Sequence, residues 1–397
     1  MFCTNCGKEI QEGSAFCPHC GTRVGAAPSG SPRPGRERPI NSPSDFVSAA
    51  ASALNDNDFV SAAADALNEM TGGEGHVELK FRNLFDSVLK KHTREEAEEV
   101  FACGSPSTTP GVSSISAEWP HPWLYSRVFL VLFVVTLGLG LTAVLLGSDL
   151  LLPGLMFVGS ATVPFAVVTL FFETNAPRNI SIATVLEMFF IGGVFSIALV
   201  LFLGLFVDSG AGDLIPSMLT GVVEEVSKTA LIVLFLKRTR GRNYILTGIL
   251  IGAAIGAGFD AFETAGYVFD AFFEGLQVDG TMDPAFMALV GNLALRAPTA
   301  LGGHALWAAI EGGALALCDD GSGFDTKHLT DMRFAPFLVI CIVVHGLWDS
   351  SLAVFGDITK MIVLTAIVWV VVFVLLQRGL KQINTVTAEA EAKAYAE

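Results

Sequence analysis

Residues 127–147 read RVFLVLFVVTLGLGLTAVLLG, and no ionisable side chain stands between Arg127 and Asp149. A bilayer core takes roughly 20 apolar residues of helix to cross. This run is long enough to do so, and seven more follow near 150–172, 182–207, 213–236, 244–270, 285–317, 333–355 and 358–378. The sixth is long and carries Pro298, where a break is expected because proline removes a helix hydrogen bond. Composition agrees: of 397 residues 52% are hydrophobic and only 16% charged, with a mean hydropathy of +0.56. An ordinary soluble domain is about 25% charged. The net charge of −15 lacks the basic footprint of a nucleic-acid-binding protein, so no nucleic acid is expected as a partner.

The loop charges orient these spans. Arg178, Lys237, Arg238, Arg240, Arg242, Lys327, Arg333, Arg378 and Lys381 fall in alternate loops, and Lys360 is the lone basic residue of the others. Basic residues collect on the cytoplasmic side. A multi-pass cell-membrane protein with both termini in the cytoplasm is therefore expected. The first apolar span starts near Arg127, so no cleaved signal peptide is expected.

The front of the chain reads differently. Cys3-x-x-Cys6-Gly and Cys17-x-x-Cys20-Gly lie ten residues apart. Each pair ends in the glycine that a knuckle turn needs, and four thiolates suit a tetrahedral Zn2+ site. Residues 1–24 thus resemble the zinc ribbon found at the front of many prokaryotic membrane proteins, with a structural Zn2+ on Cys3, Cys6, Cys17 and Cys20. Reduced thiolates also belong in the cytoplasm. Residues 25–76 form a flexible linker that includes a 13-residue Ala-rich repeat, DFVSAAASALND from Asp45 and DFVSAAADALNE from Asp58. An amphipathic acidic helix is expected over 77–103, with Leu79, Leu84, Phe85, Val88 and Leu89 on one face. A second linker, 104–126, carries Trp119, Trp123 and Tyr125, which suit an interfacial aromatic belt. The membrane domain occupies 127–380 and a tail 381–397. The expected fold is all-α: a polytopic membrane protein of about eight transmembrane helices with a small N-terminal zinc ribbon.

Charges are rare inside the spans because each costs about 2.5–3.5 kcal/mol at a helix centre on insertion scales. Four consecutive spans nevertheless carry them. The fourth has Glu224-Glu225-x-x-Lys228, where the lysine can neutralise one carboxylate but not both. The fifth has Phe262-Glu263-x-x-x-Tyr267, after Asp260 and a series of glycines that allow close helix approach. The sixth has Arg296, His304 and Glu311, and the seventh His345-x-x-x-Asp349. Singly, each admits a structural reading. Together they offer a base to activate water and donors for an oxyanion. Proton or ion sites of a transporter would also use such groups.

In order and spacing these four motifs resemble the PrsW family of intramembrane proteases and, more distantly, the superfamily of CAAX-prenyl and bacteriocin-processing proteases. The resemblance implies an integral-membrane endopeptidase whose substrate is a membrane-anchored protein, such as an anti-sigma factor. It implies Glu224 or Glu225 as general base, Glu263 and His304 in support, and His345 and Asp349 at the oxyanion. Lys228 would hold one carboxylate. His304, His345, Asp349 and a glutamate could also ligate zinc, but no HExxH is present and the superfamily analogy favours metal-free chemistry. The ribbon is free to bind a cytoplasmic protein. The rival readings are an ion- or proton-coupled transporter and a non-catalytic membrane sensor.

Overall fold

A computed structural model describes residues 58–239, 242–352 and 356–396. The ribbon with Cys3, Cys6, Cys17 and Cys20, the first copy of the Ala-rich repeat, and Arg240 lie outside the described residues. Described residues of the N-terminal region form α1 (Asp58–Met70), which is the second copy of the repeat, and α2 (Arg94–Phe101). The membrane domain comprises α3 (Leu124–Leu146), α4 (Leu152–Thr174), α5 (Ile182–Leu203), α6 (Leu214–Arg238) and α7 (Ile245–Asp279). It continues with α8 (Met282–Thr299), α9 (His304–Leu317), α10 (Ala335–Asp349) and α11 (Asp357–Ala396). No strand occurs among the described residues; Gly212 and Ser350 form an isolated bridge.

Among the described residues six helical stretches are long and apolar enough to cross a membrane: α3, α4, α5, α7, α8 with α9, and α11. The other two expected passes are α6, which is 25 residues long but carries buried charge, and α10, a shorter apolar helix of 15 residues. The chain is therefore an all-α polytopic membrane protein. α10 stops at Asp349, short of the expected 355, because the backbone turns out to meet the start of α6. There Gly212 N–H donates to Asp349 O at 3.0 Å and Ser351 N–H to Gly212 O at 2.6 Å.

Hydrogen bonds sort the loops into two ends. At one end Arg178 Nη2 donates to Glu99 O, Asn243 N–H to Asp319 Oδ2, Ile245 N–H to Gln382 Oε1, and Arg378 Nη1 to Thr71 O. These bonds tie the region before α3, three alternate loops and the extension of α11 together. Gly212, Asp349, Ser351 and Lys360 meet at the other, where Lys360 Nζ donates to Ser350 O.

The region 77–103 departs from a single amphipathic helix. It makes one short turn at Phe81–Leu84 and restarts at α2, where Thr93 and Glu96 form a reciprocal cap. Leu84 is buried, while Phe85 and Leu89 are exposed. The expected belt aromatics use their polar tips on this segment instead: Trp119 Nε1 donates to Asn83 O and Tyr125 O–H to Leu84 O.

α7 runs through the centre of the bundle, and small residues set its spacing. A Cβ at Gly252 would collide with the carbonyl of Ala308, and one at Gly256 with that of His304, so α9 lies directly against α7. Gly221 does the same for α6, since its Cβ would fall 2.8 Å from Ile342 O on α10. These approaches fix the four helices, α6, α7, α9 and α10, that frame the polar centre. α8 and α9 are separated by a turn at Ala300–Gly302, two residues after Pro298, so the expected break is present.

Candidate active site

All seven residues singled out by sequence converge. Glu224, Glu225 and Lys228 come from α6, Glu263 from α7, His304 from the first position of α9, and His345 and Asp349 from α10. Lys228, Glu225 and His345 are buried, Glu224 and His304 nearly so. Glu263 and Asp349 sit at the more open edge, with side chains 20% and 25% exposed.

Lys228 is the hub. Its Nζ lies 2.7 Å from Glu225 Oε1 and 2.9 Å from His304 Nδ1. The Phe259 and Trp307 rings lie beneath the ammonium, at 4.8 and 5.4 Å from their centroids, an arrangement that favours a buried cation. Glu225 Oε1 also bonds His345 Nδ1. One carboxylate is thus spent on Lys228 and His345 together.

The partners set the tautomers. An ammonium has no lone pair, so His304 Nδ1 accepts from Lys228 and its Nε2–H donates to Glu263 Oε2 at 3.0 Å. His345 Nδ1–H donates to Glu225. Its Nε2 then faces Asp349 Oδ2 at 3.2 Å and Glu224 Oε2 at 3.6 Å. His304 Nδ1 lies 3.8 Å from the same Glu224 oxygen. Glu224 Oε2 is buried and has no hydrogen-bond partner. It is a carboxylate oxygen held between two imidazoles and bonded to neither.

Arg296, noted in the sequence but given no role there, closes the open edge. Its Nη2 bonds Glu263 Oε2 at 2.8 Å, its Nε donates to Thr264 Oγ1 at 3.1 Å, and its guanidinium stacks 4.2 Å from the Tyr267 ring centroid. The arginine of α8 thus links Glu263 and Tyr267, which stand four residues apart on α7. An arginine inside an apolar span was the signal. Glu187 of α5 sits at the rim and pairs with Arg238 at 3.4 Å.

Helix packing thus encloses a carboxylate–imidazole centre within a polytopic membrane protein. Residues 180–376 match the family model of the PrsW family of intramembrane metalloproteases, and residues 2–24 match that of a zinc-ribbon domain. The membrane domain belongs to the PrsW family, and the chain is a membrane peptidase with a zinc ribbon at its front. Neither the curated proteins nor the solved structures give a match.

The family's description implies a metal, and the residues fit one. Glu224, His304 and His345 each offer a ligand atom, all within 4.8 Å of one another. Two imidazoles and one glutamate carboxylate are a donor set that catalytic zinc uses. Glu263 and Glu225 hold the far nitrogens of the two histidines, as outer carboxylates do at metal sites. Lys228 Nζ, 2.9 Å from His304 Nδ1, is the group that would have to yield to the cation.

Proposed function

We propose that this protein is an intramembrane endopeptidase in which Glu224 takes the proton from the attacking water. The observation that carries this is the unpartnered Glu224 Oε2 between His304 and His345. Glu225 is already committed to Lys228 and His345, whereas Glu224 Oε2 accepts no hydrogen bond. Water bonded to Glu224 Oε2 would add to the scissile carbonyl. The proton would pass by way of Glu224 to the leaving nitrogen, and His345 Nε2, oriented by Glu225 and Asp349, would face the developing oxyanion. There it must carry a proton in order to donate. His304, locked by Lys228 and Glu263, keeps one edge of the water site rigid. A divalent cation held by Glu224, His304 and His345 would supply a Lewis acid for water and carbonyl, with His345 Nε2 then a ligand in place of the oxyanion donor.

The substrate is a membrane-anchored protein, with an anti-sigma-factor-like regulator as the specific candidate. An apolar cavity of about 900 Å3 supports an extended apolar substrate. Its lining includes Leu301, three residues before His304, and Trp348, next to Asp349. The basic loops share one end with the region before α3, which supports a cytoplasmic placement of both termini. The ribbon holds its zinc on Cys3, Cys6, Cys17 and Cys20 and presents a docking module for a cytoplasmic protein.

The test uses purified protein in proteoliposomes with a panel of single-span membrane proteins, with and without a strong chelator. Cuts mapped by mass spectrometry within or at the edge of the span, lost in Glu224→Gln and His345→Ala, support the reading. Loss on chelation that zinc restores, seen equally when Cys3, Cys6, Cys17 and Cys20 are replaced by serine, assigns the cation to the site. Cleavage that survives in Glu224→Gln overturns the role of that residue.

A further inference from the structure

The apolar cavity beside the centre is a groove with one obstructed end. Its long wall is α11, which lines it from Ile358 to Phe373, and α4 and α8 form the opposite side. Lys80 is the one charged residue in the lining among the described residues. Midway the groove passes the turn before His304. There Trp369 Nε1 donates to Leu301 O at 3.1 Å, and a Cβ at Gly302 would collide with Thr365, so the turn lies directly on α11.

The obstruction is the segment that precedes the spans. Val60 and Ala64 of α1, and Val77 to Phe85 after it, line the end of the groove nearest Arg378. This segment crosses from one wall to the other. The Phe81 ring meets that of Trp369 on α11 edge-on at 6.1 Å, and the Phe85 ring meets that of Tyr125 on α3 at 6.5 Å. Val77 N–H donates to Asp65 Oδ1 at 2.7 Å, which folds the segment back on α1 as one piece.

Its attachment is slight. The buried apolar side chains among its described residues are Ala64, Val77 and Leu84, while Phe81 and Phe85 remain about half exposed, at 44% and 50%. Polar ties do much of the holding. Arg378 Nη1 donates to Thr71 O and Oγ1 at 2.9 and 2.7 Å, and Lys381 Nζ to Glu74 O at 2.7 Å. A segment with few buried apolar contacts opens locally at small cost.

We propose that this groove seats the transmembrane helix of the substrate and that residues 58–85 are a strap across its end, which swings out before the helix can seat. Length carries the argument. From Ile358 to Trp369 the open wall of α11 is about 16 Å long at 1.5 Å per residue, whereas a spanning helix needs roughly 30 Å. A substrate helix laid along α11 and past Leu301 therefore runs into Phe81. The apolar lining suits such a helix, and the strap excludes it until Arg378 and Lys381 let go. The seat rests on the peptidase reading; the mobility of the strap does not.

Two measurements on the full-length protein in lipid nanodiscs test this. A benzophenone amino acid placed at Phe81 should crosslink to the α11 peptide around Trp369 in the resting protein. The yield should fall when Glu224→Gln is saturated with a single-span substrate, its binding checked by co-purification. It should also fall without substrate when Arg378→Ala and Lys381→Ala are combined. In the cleavage assay that double variant, altered outside the catalytic centre, should lower KM about tenfold with kcat unchanged. Tenfold is roughly what one charge-assisted hydrogen bond is worth, and opening the strap beforehand raises the competent fraction. A crosslink that bound substrate leaves unchanged would overturn the proposal. So would a double variant that keeps the crosslink, or one that loses it with KM unchanged or raised. Failure of the wild type to cleave any substrate counts against the peptidase reading, and the crosslink in the double variant then decides whether the strap moves.

Discussion

The two adjacent glutamates of α6 should separate cleanly under the same substitution. In Glu225→Gln the buried Lys228 ammonium loses its carboxylate at 2.7 Å, and His345 Nδ1–H loses its charged acceptor. Breaking a buried ion pair from one side costs about 3–5 kcal/mol. Glu224→Gln removes no hydrogen bond from Oε2, since none is made, so its cost should stay within about 1 kcal/mol, the worth of an ordinary hydrogen bond. Catalysis should show a different pattern. Loss of a general base lowers turnover by about 10²–10⁴-fold, so Glu224→Gln should be folded and inactive, and Glu225→Gln both destabilised and inactive. Reversible denaturant unfolding in mixed micelles, run beside the cleavage assay, reads both quantities on the same samples. Equal destabilisation by the two variants, or wild-type turnover in Glu224→Gln, would refute the division of labour.

Arg296→Leu should lower turnover, because Glu263 loses its 2.8 Å guanidinium and His304 its fixed acceptor; a kinetic comparison with Arg296→Lys should show partial recovery. Gly252→Val should cost about 1–3 kcal/mol or more in the same unfolding measurement, as overpacking does, because its side chain meets the α9 backbone at Ala308. Beyond the spans, His76 Nδ1 and Asp65 Oδ2 pair at 2.7 Å, which raises the His76 pKa and lowers that of Asp65. The histidine contribution is complete below its ordinary 6.5 and fades as pH rises through the raised value. The aspartate contribution is complete above 3.8 and fades as pH falls through the lowered one. Limited proteolysis at Gly72–Gly75 should therefore be slowest between those two values and faster in mild alkali, and His76→Ala should abolish the alkaline change.

Much of the site was legible because the bilayer makes charge conspicuous. Glu224, Glu225, Lys228, Glu263, His304, His345 and Asp349 stood out from apolar spans at helical spacings, and the structure gathers them at one centre. Their pairing was not legible, since it depends on how closely helices approach. The Gly221 and Gly252 contacts bring α6 to α10 and α7 to α9, and only that geometry distinguishes a committed Glu225 from a free Glu224. Arg296 was visible as a charged residue, but its partners lie on another helix. The 77–103 helix failed for the opposite reason. Its apolar residues are spaced for a helix, yet Leu84 alone is pulled in while Phe85 and Leu89 stay exposed, and the Thr93 cap starts a new helix midway.

The most direct test of the water-activating role is a single turnover in heavy-oxygen water. Wild-type protein and Glu224→Gln are placed in excess over a single-span substrate in proteoliposomes. The account predicts that the wild type cuts and that the new carboxyl terminus of the product carries the heavy label in that first turnover, while folded Glu224→Gln leaves the substrate intact. Cleavage by Glu224→Gln at the wild-type rate, or label in the wild-type protein's own carboxylate with an unlabelled first product, would contradict it.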